Sequence, residues 1–222
     1  MFVIGLTGGI ASGKSTAAAL LEKLSAHAID ADRLGPRAYE PGTPGFERVV
    51  EAFGRGVVGE EGAIDRRALS ERVFGAPDAM RRLTDIVWPE TRRLALREIA
   101  DVRGREPGAV VVLEATLLLE AGWADIVDEV WGVAVDPGTA HDRLVQRRGL
   151  SPGEALRRIE AQMSLEERVE RGDRVIPNRD SRSDLRRQLR AAWQALAERR
   201  ARAAVGHPRA ESRPATNPVD HA

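Results

Sequence analysis

Short runs of β-branched and other apolar residues alternate along the chain with longer stretches whose apolar positions recur every three to four residues. The short runs predict strands over 2–6, 27–30, 109–113, 129–135 and, more weakly, 174–176. The longer stretches predict helices over 14–25, 46–53, 66–74, 78–102, 139–148, 152–162 and 183–204. Strands that alternate with helices imply an α/β fold, five parallel strands flanked by helices. Some 76 positions, about 33–108, separate the second strand from the third. One crossover helix needs far fewer, so a helical insertion is expected beside the sheet. The turn clusters Glu40-Pro41-Gly42-Thr43-Pro44-Gly45, Glu106-Pro107-Gly108 and Asp136-Pro137-Gly138 fall between these elements. From about residue 204 the periodicity dissolves into Gly, Pro, Ser and charged residues. The expectation is therefore one domain over 1–203 and a disordered tail over 204–222.

Composition narrows the chemistry. With no cysteine in 222 residues, disulfides, thiolate zinc sites and cysteine nucleophiles are excluded, which fits a reducing, cytoplasmic setting. His27, His141, His207 and His221 are scattered without metal-ligand spacing, so no protein-held transition metal is expected. The longest apolar runs fall far short of a bilayer span, and no membrane partner is expected. The 34 basic and 34 acidic side chains cancel, which argues against a surface built wholly for a polyanion such as nucleic acid. Only two of the basic residues, Lys14 and Lys23, are lysines.

One of those lysines lies in a complete phosphate-loop motif. Gly8-Gly9-Ile10-Ala11-Ser12-Gly13-Lys14-Ser15 matches G-x-x-x-x-G-K-[ST], follows a predicted strand and opens a predicted helix. The glycines permit close approach of backbone N–H groups to an anion, and the helix adds its positive end. Lys14 would reach the terminal phosphates of a nucleotide, Ser15 would hold Mg²⁺, and Thr16 would cap or pack. Guanine-type switching needs an Asn/Thr-Lys-x-Asp motif downstream, yet no lysine follows Lys23. A transporter-type ATPase signature is missing too, which leaves small-molecule kinases.

A hydroxyl acceptor benefits from a carboxylate that orients or deprotonates it, whereas a phosphate acceptor chiefly needs arginines. Ile29-Asp30-Ala31-Asp32 ends the second strand at the sheet edge where open α/β folds bind ligands. If that segment stays extended, Asp30 and Asp32 point alike toward the phosphate loop. Either aspartate equally suits the cap of a following helix, and spacing alone leaves both roles open.

Together, Gly5-Leu6-Thr7 with the phosphate loop, Ile29-Asp30-Ala31-Asp32 and Glu40-Pro41-Gly42-Thr43-Pro44-Gly45 resemble the dephospho-CoA kinase family. Further matches follow in order, among them Gly62-Ala63-Ile64-Asp65-Arg66-Arg67, Leu117-Leu118-Leu119-Glu120, Ile159-Glu160-Ala161-Gln162 and Asp173-Arg174-Val175-Ile176-Pro177-Asn178, so that the similarity spans about residues 2–190. The resemblance implies a P-loop NTPase fold with a helical acceptor-binding insertion and a lid at about 139–172. It implies transfer of a phosphoryl group from ATP to the 3′-hydroxyl of dephospho-CoA. Asp32 then takes the place of the family's base, Thr7 lies near the reacting phosphates, Arg147 is the lid arginine assisted by Arg143, and Asn178 lies near the adenine. This chain departs from the family at Trp88 for histidine, Glu114 for aspartate, Thr116 for proline, Leu119 for phenylalanine and His141 for glutamine. Glu114 would still serve as the carboxylate that holds Mg²⁺ directly or through water. Trp88 either packs the acceptor or belongs to the core, and Glu120 either meets substrate or pairs with an arginine.

Two rival readings remain. A shikimate- or nucleoside-type kinase shares the aspartate pair after strand two. A non-enzymatic nucleic-acid role would use the arginines of the last helix, although Leu185, Leu189, Trp193 and Leu196 form an apolar stripe that explains that helix as packed.

Overall fold

The structure is a computed structural model that describes residues 1–178 and 181–206. Strands β1 (Phe2–Thr7), β2 (Ala26–Asp30), β3 (Val110–Glu114), β4 (Glu129–Ala134) and β5 (Arg174–Pro177) form one parallel sheet in the order β2-β3-β1-β4-β5. Side chains alternate across the pleat: Val110 and Val112 enter the core on one face, Val111 and Leu113 the core on the other. Burial on both faces is why these strands read as near-continuous apolar runs.

The first face is covered by α1 (Lys14–Glu22), with Ala17, Leu20 and Leu21, and by α9 (Arg182–Gly206). Leu185, Leu189 and Leu196 of α9 are at most 2% exposed. At about 1.5–3 kcal/mol for each fully buried leucine, the arginine-rich helix is anchored by its apolar stripe. The second face is covered by α5 (Pro77–Arg105), through Ala95, Ile99 and Val102, and by α2 (Ala31–Arg37), through Leu34. The N-terminal half of α5 joins α3 (Pro44–Phe53) and α4 (Arg66–Val73) around a separate small core of Val49, Phe53, Val57, Leu69, Val73 and Ala79. The long insertion thus has its own apolar centre, and one continuous helix ties it to the sheet.

The turn Glu40-Pro41-Gly42-Thr43-Pro44-Gly45 now has a physical account. Gly42 adopts φ +82°, Thr43 caps α3 by accepting the Phe46 N–H at 3.1 Å, and Pro44 occupies the first turn. A Cβ on Gly45 would lie 1.9 Å from the Ala38 carbonyl oxygen, so glycine is needed for the close approach of α3 to the end of α2.

Two helices were not expected. At α2, which is not among the predicted helices, Asp30 caps the helix by accepting the Arg33 N–H at 3.3 Å. This corrects the extended picture of Ile29-Asp30-Ala31-Asp32: the strand stops at Asp30, and Asp32 lies in the first turn of a helix. The other is α8 (Leu165–Glu170), which starts with a complete capping box between Ser164 and Glu167. The last helix runs to Gly206, and of the tail expected over 204–222, residues 207–222 lie outside the described residues.

Candidate active site

The strand register sets Leu6, Asp30 and Glu114 abreast at the C-terminal edge of the sheet. The segments that leave these strands therefore converge, as ligand sites in open α/β sheets do. After β1 the chain turns through Gly8–Gly13 into α1. Gly13 holds φ +91°, and a Cβ there would lie 2.3 Å from the Asn178 amide nitrogen. Ala11, at φ +59°, takes a left-handed conformation that costs a non-glycine residue about 1–2 kcal/mol. Side chains hold the loop in this shape. Arg143 of α6 (Pro137–Arg148) donates to the Ala11 carbonyl at 3.1 Å and to the Asn178 carbonyl at 3.0 Å. Asn178 Nδ2 donates to the Ser12 carbonyl at 2.6 Å. Among the described residues no side chain caps α1, so its first N–H groups are left for an anion.

Lys14 is 8% exposed and donates to two carboxylates, to Glu114 Oε1 at 2.7 Å and to Asp32 Oδ2 at 3.1 Å. Ser15 Oγ donates to the same Glu114 oxygen at 2.6 Å. The Asp32 side chain is 48% exposed and opens into the cleft. Its Oδ2 accepts from Thr116 Oγ1 at 2.7 Å and its Oδ1 from the Thr116 N–H at 3.2 Å. The two aspartates thus divide the roles left open by spacing: Asp30 caps α2, and Asp32 faces Lys14.

Behind the loop, Thr7 is fully buried, donates to the Thr116 carbonyl at 3.3 Å and accepts from Arg168 Nη1 at 3.1 Å. Arg168, on α8, is 3% exposed and also reaches Glu120 at 3.1 Å, the Thr116 carbonyl at 3.4 Å and the Met163 carbonyl at 3.4 Å. Glu120 therefore pairs with an arginine. Sequence reasoning did not single out Arg168; the Ser164-x-x-Glu167 capping signal is the available sign of a short helix there.

Over the loop lie α6 and α7 (Pro152–Glu160). Burial foremost, and then the charge of Arg147, lower the Arg143 guanidinium from its ordinary value, against an opposite pull from Asp136. Arg147 is exposed and lines the cleft. Gln162 Oε1, just past α7, accepts the loop N–H of Ile10 at 2.7 Å. The cleft encloses about 510 Å³ between the phosphate loop, Asp32, Thr116, Arg147 and Gln162. A smaller cavity of about 180 Å³ opens on the other side of Asp32 against Trp88, Thr91, Leu117 and Trp123. Trp88 is half-buried there and packs on the sheet's second core. Asn178, expected beside an adenine, stands behind the phosphate loop with its amide nitrogen engaged by Ser12.

An anion-binding loop, a lysine between two carboxylates and an exposed arginine above them suit transfer of a phosphoryl group to a hydroxyl. Comparison with known proteins points the same way. The family model for dephospho-CoA kinase matches residues 2–184. The chain is 50% identical over 195 residues to a dephospho-CoA kinase of Symbiobacterium thermophilum, covering 88% of this chain and 81% of that one. It is 46% identical over 202 residues to that of Geobacter metallireducens, covering 91% and 100%. The crystal structure of TT1252 from Thermus thermophilus superposes with a TM-score of 0.74 at 39% identity, covering 88% of this chain and 97% of that one. With a family model that spans most of its length and relatives at this identity, the chain belongs to the dephospho-CoA kinase family.

Proposed function

We propose that the chain transfers the γ-phosphoryl group of ATP to the 3′-hydroxyl of dephospho-CoA, giving coenzyme A and ADP. One observation supports this reading above the others: Asp32 lies 3.1 Å from the phosphate-loop lysine, at the open mouth of the cleft. A carboxylate there serves a hydroxyl nucleophile and would repel a phosphate acceptor.

The donor set at the base of the cleft fits Mg²⁺. Ser15 Oγ and Glu114 Oε1 are hard oxygen ligands that already converge at 2.6 Å. These two residues would hold the ion with the nucleotide's phosphates, where it would neutralise charge between the β- and γ-phosphates. The protein's own groups do the rest. The phosphate loop, Gly8 to Thr16, cradles the phosphates. Lys14 exchanges its two carboxylates for phosphate oxygens and so frees Asp32 to accept the hydroxyl proton. Arg147 closes from the lid on the equatorial oxygens, which carry the transition-state charge. Arg143, Asn178 and, through Thr116, Thr7 keep the loop and cleft in shape. The cavity beside Trp88 and the insertion around it receive the acceptor, and closure of α6 and α7 excludes water. A cytoplasmic location accords with a chain in which no helix among the described residues is long and apolar enough to cross a membrane.

The test is ADP release with purified protein, ATP and Mg²⁺, with dephospho-CoA, shikimate or uridine as acceptor. Turnover with dephospho-CoA alone is expected. A folded, ATP-binding protein that prefers another hydroxyl would overturn the assignment.

A further inference from the structure

Among the described residues Asp32 has three donors, and they will not all stay. The Lys14 ammonium, 3.1 Å from Oδ2, belongs to the phosphate loop and is drawn to the nucleotide when it binds. The donors that remain both come from Thr116, its hydroxyl to Oδ2 at 2.7 Å and its N–H to Oδ1 at 3.2 Å. Each carboxylate oxygen is thus held by one group of a single residue. The Asp32 side chain is 48% exposed, on the first turn of α2. Without Thr116 it would sample several staggered positions in the cleft.

Thr116 is itself fixed from behind. Its carbonyl accepts from Thr7 Oγ1 at 3.3 Å and from Arg168 Nη1 at 3.4 Å. Thr7, at the end of β1, is fully buried, and Arg168, on α8, is 3% exposed. A chain of contacts therefore runs from the buried guanidinium to the segment after β3 and on to the carboxylate.

We infer that Thr116 is a positioning residue for the reaction, one that keeps Asp32 aimed at the acceptor hydroxyl once Lys14 has turned to the nucleotide. The inference rests on the reading of Asp32 as the base. It predicts an effect on turnover rather than on nucleotide binding, because the Thr116 hydroxyl meets a carboxylate that ATP does not need.

The experiment measures kcat, KM for each substrate and ATP affinity for Thr116→Val, Thr116→Ser, Asp32→Asn and the double variant Thr116→Val/Asp32→Asn, with residual turnover read from radiolabelled ATP. Valine keeps the shape and the N–H and removes only the hydroxyl. A hydrogen bond to a charged group is strong enough that its loss should lower kcat about tenfold. KM for ATP and ATP affinity should stay within about twofold, and serine, which restores the hydroxyl, should recover kcat to within about threefold. In the Asp32→Asn background, Thr116→Val should add less than about twofold, since there is no charged carboxylate left to aim. Unchanged kcat in Thr116→Val, or an equal loss in both backgrounds, overturns the inference while leaving Asp32 as base. Wild-type turnover in Asp32→Asn overturns the reading of Asp32, and the inference with it.

Discussion

Replacing Arg168 by methionine probes the buried scaffold behind the site. The guanidinium is 3% exposed and its partner Glu120 is 20% exposed, so water screens neither charge well. Removing one partner of such a pair costs about 3–5 kcal/mol, because the other charge stays behind without compensation. Glu120 keeps some access to solvent, which favours the lower end, about 3 kcal/mol. For a domain of this length each kcal/mol shifts the melting temperature by about 2–4 °C, so Arg168→Met should lower Tm by about 6–12 °C. Urea and thermal unfolding followed by circular dichroism give both values. The second Glu120 oxygen is already buried without a partner. Removing both charges, in Arg168→Met/Glu120→Leu, should therefore cost less than the sum of the single changes by about 1 kcal/mol or more. A loss below about 1 kcal/mol in Arg168→Met, or strict additivity in the pair, would refute the view of Arg168 as a buried ionic anchor.

Other consequences follow from the same geometry. Gly45→Ala should lower stability by about 1–3 kcal/mol, since its methyl group must displace the Ala38 carbonyl; an unchanged urea midpoint would count against the close approach. Arg147→Ala should reduce kcat about 100-fold or more while ATP affinity changes little, and steady-state kinetics with full turnover would remove Arg147 from the lid role. Hydrogen bonds from the Thr139 backbone, the Ser164 backbone and the Ser181 hydroxyl hold Asp136, Glu167 and Asp184 below their usual values of 3.8, 4.5 and 3.8. A carboxylate depressed in the folded state stabilises it above the usual value, and that contribution is lost as pH falls through the folded one. Stability should therefore decline below about pH 4.5, less steeply in Asp136→Asn; identical acid-unfolding curves for the two proteins would contradict this.

Much of the architecture was legible in the chain because its strands are buried on both faces and its helices carry clear apolar stripes. The five strands lie where the short apolar runs predict, within a residue or two, and Leu185, Leu189 and Leu196 bury as the period of the last helix implies. The phosphate loop was legible because its chemistry is contiguous. What escaped was built from distant residues. Whether Asp30 or Asp32 faces the loop depends on where β2 ends and α2 begins, which the spacing of the two aspartates alone does not give. Arg168 did not stand out because burial depends on the whole fold, not on adjacent charges. Thr116 stood out only as a departure from the family, and the donors it offers to Asp32 emerge once β2 and β3 pair in register.

The most direct measurement of the central claim is the identity of the product. Purified protein incubated with ATP, Mg²⁺ and dephospho-CoA should release one ADP for each coenzyme A formed, with phosphorus NMR placing the new phosphate on the ribose 3′-oxygen. Phosphate at any other position, or ADP released without coenzyme A, would contradict the account.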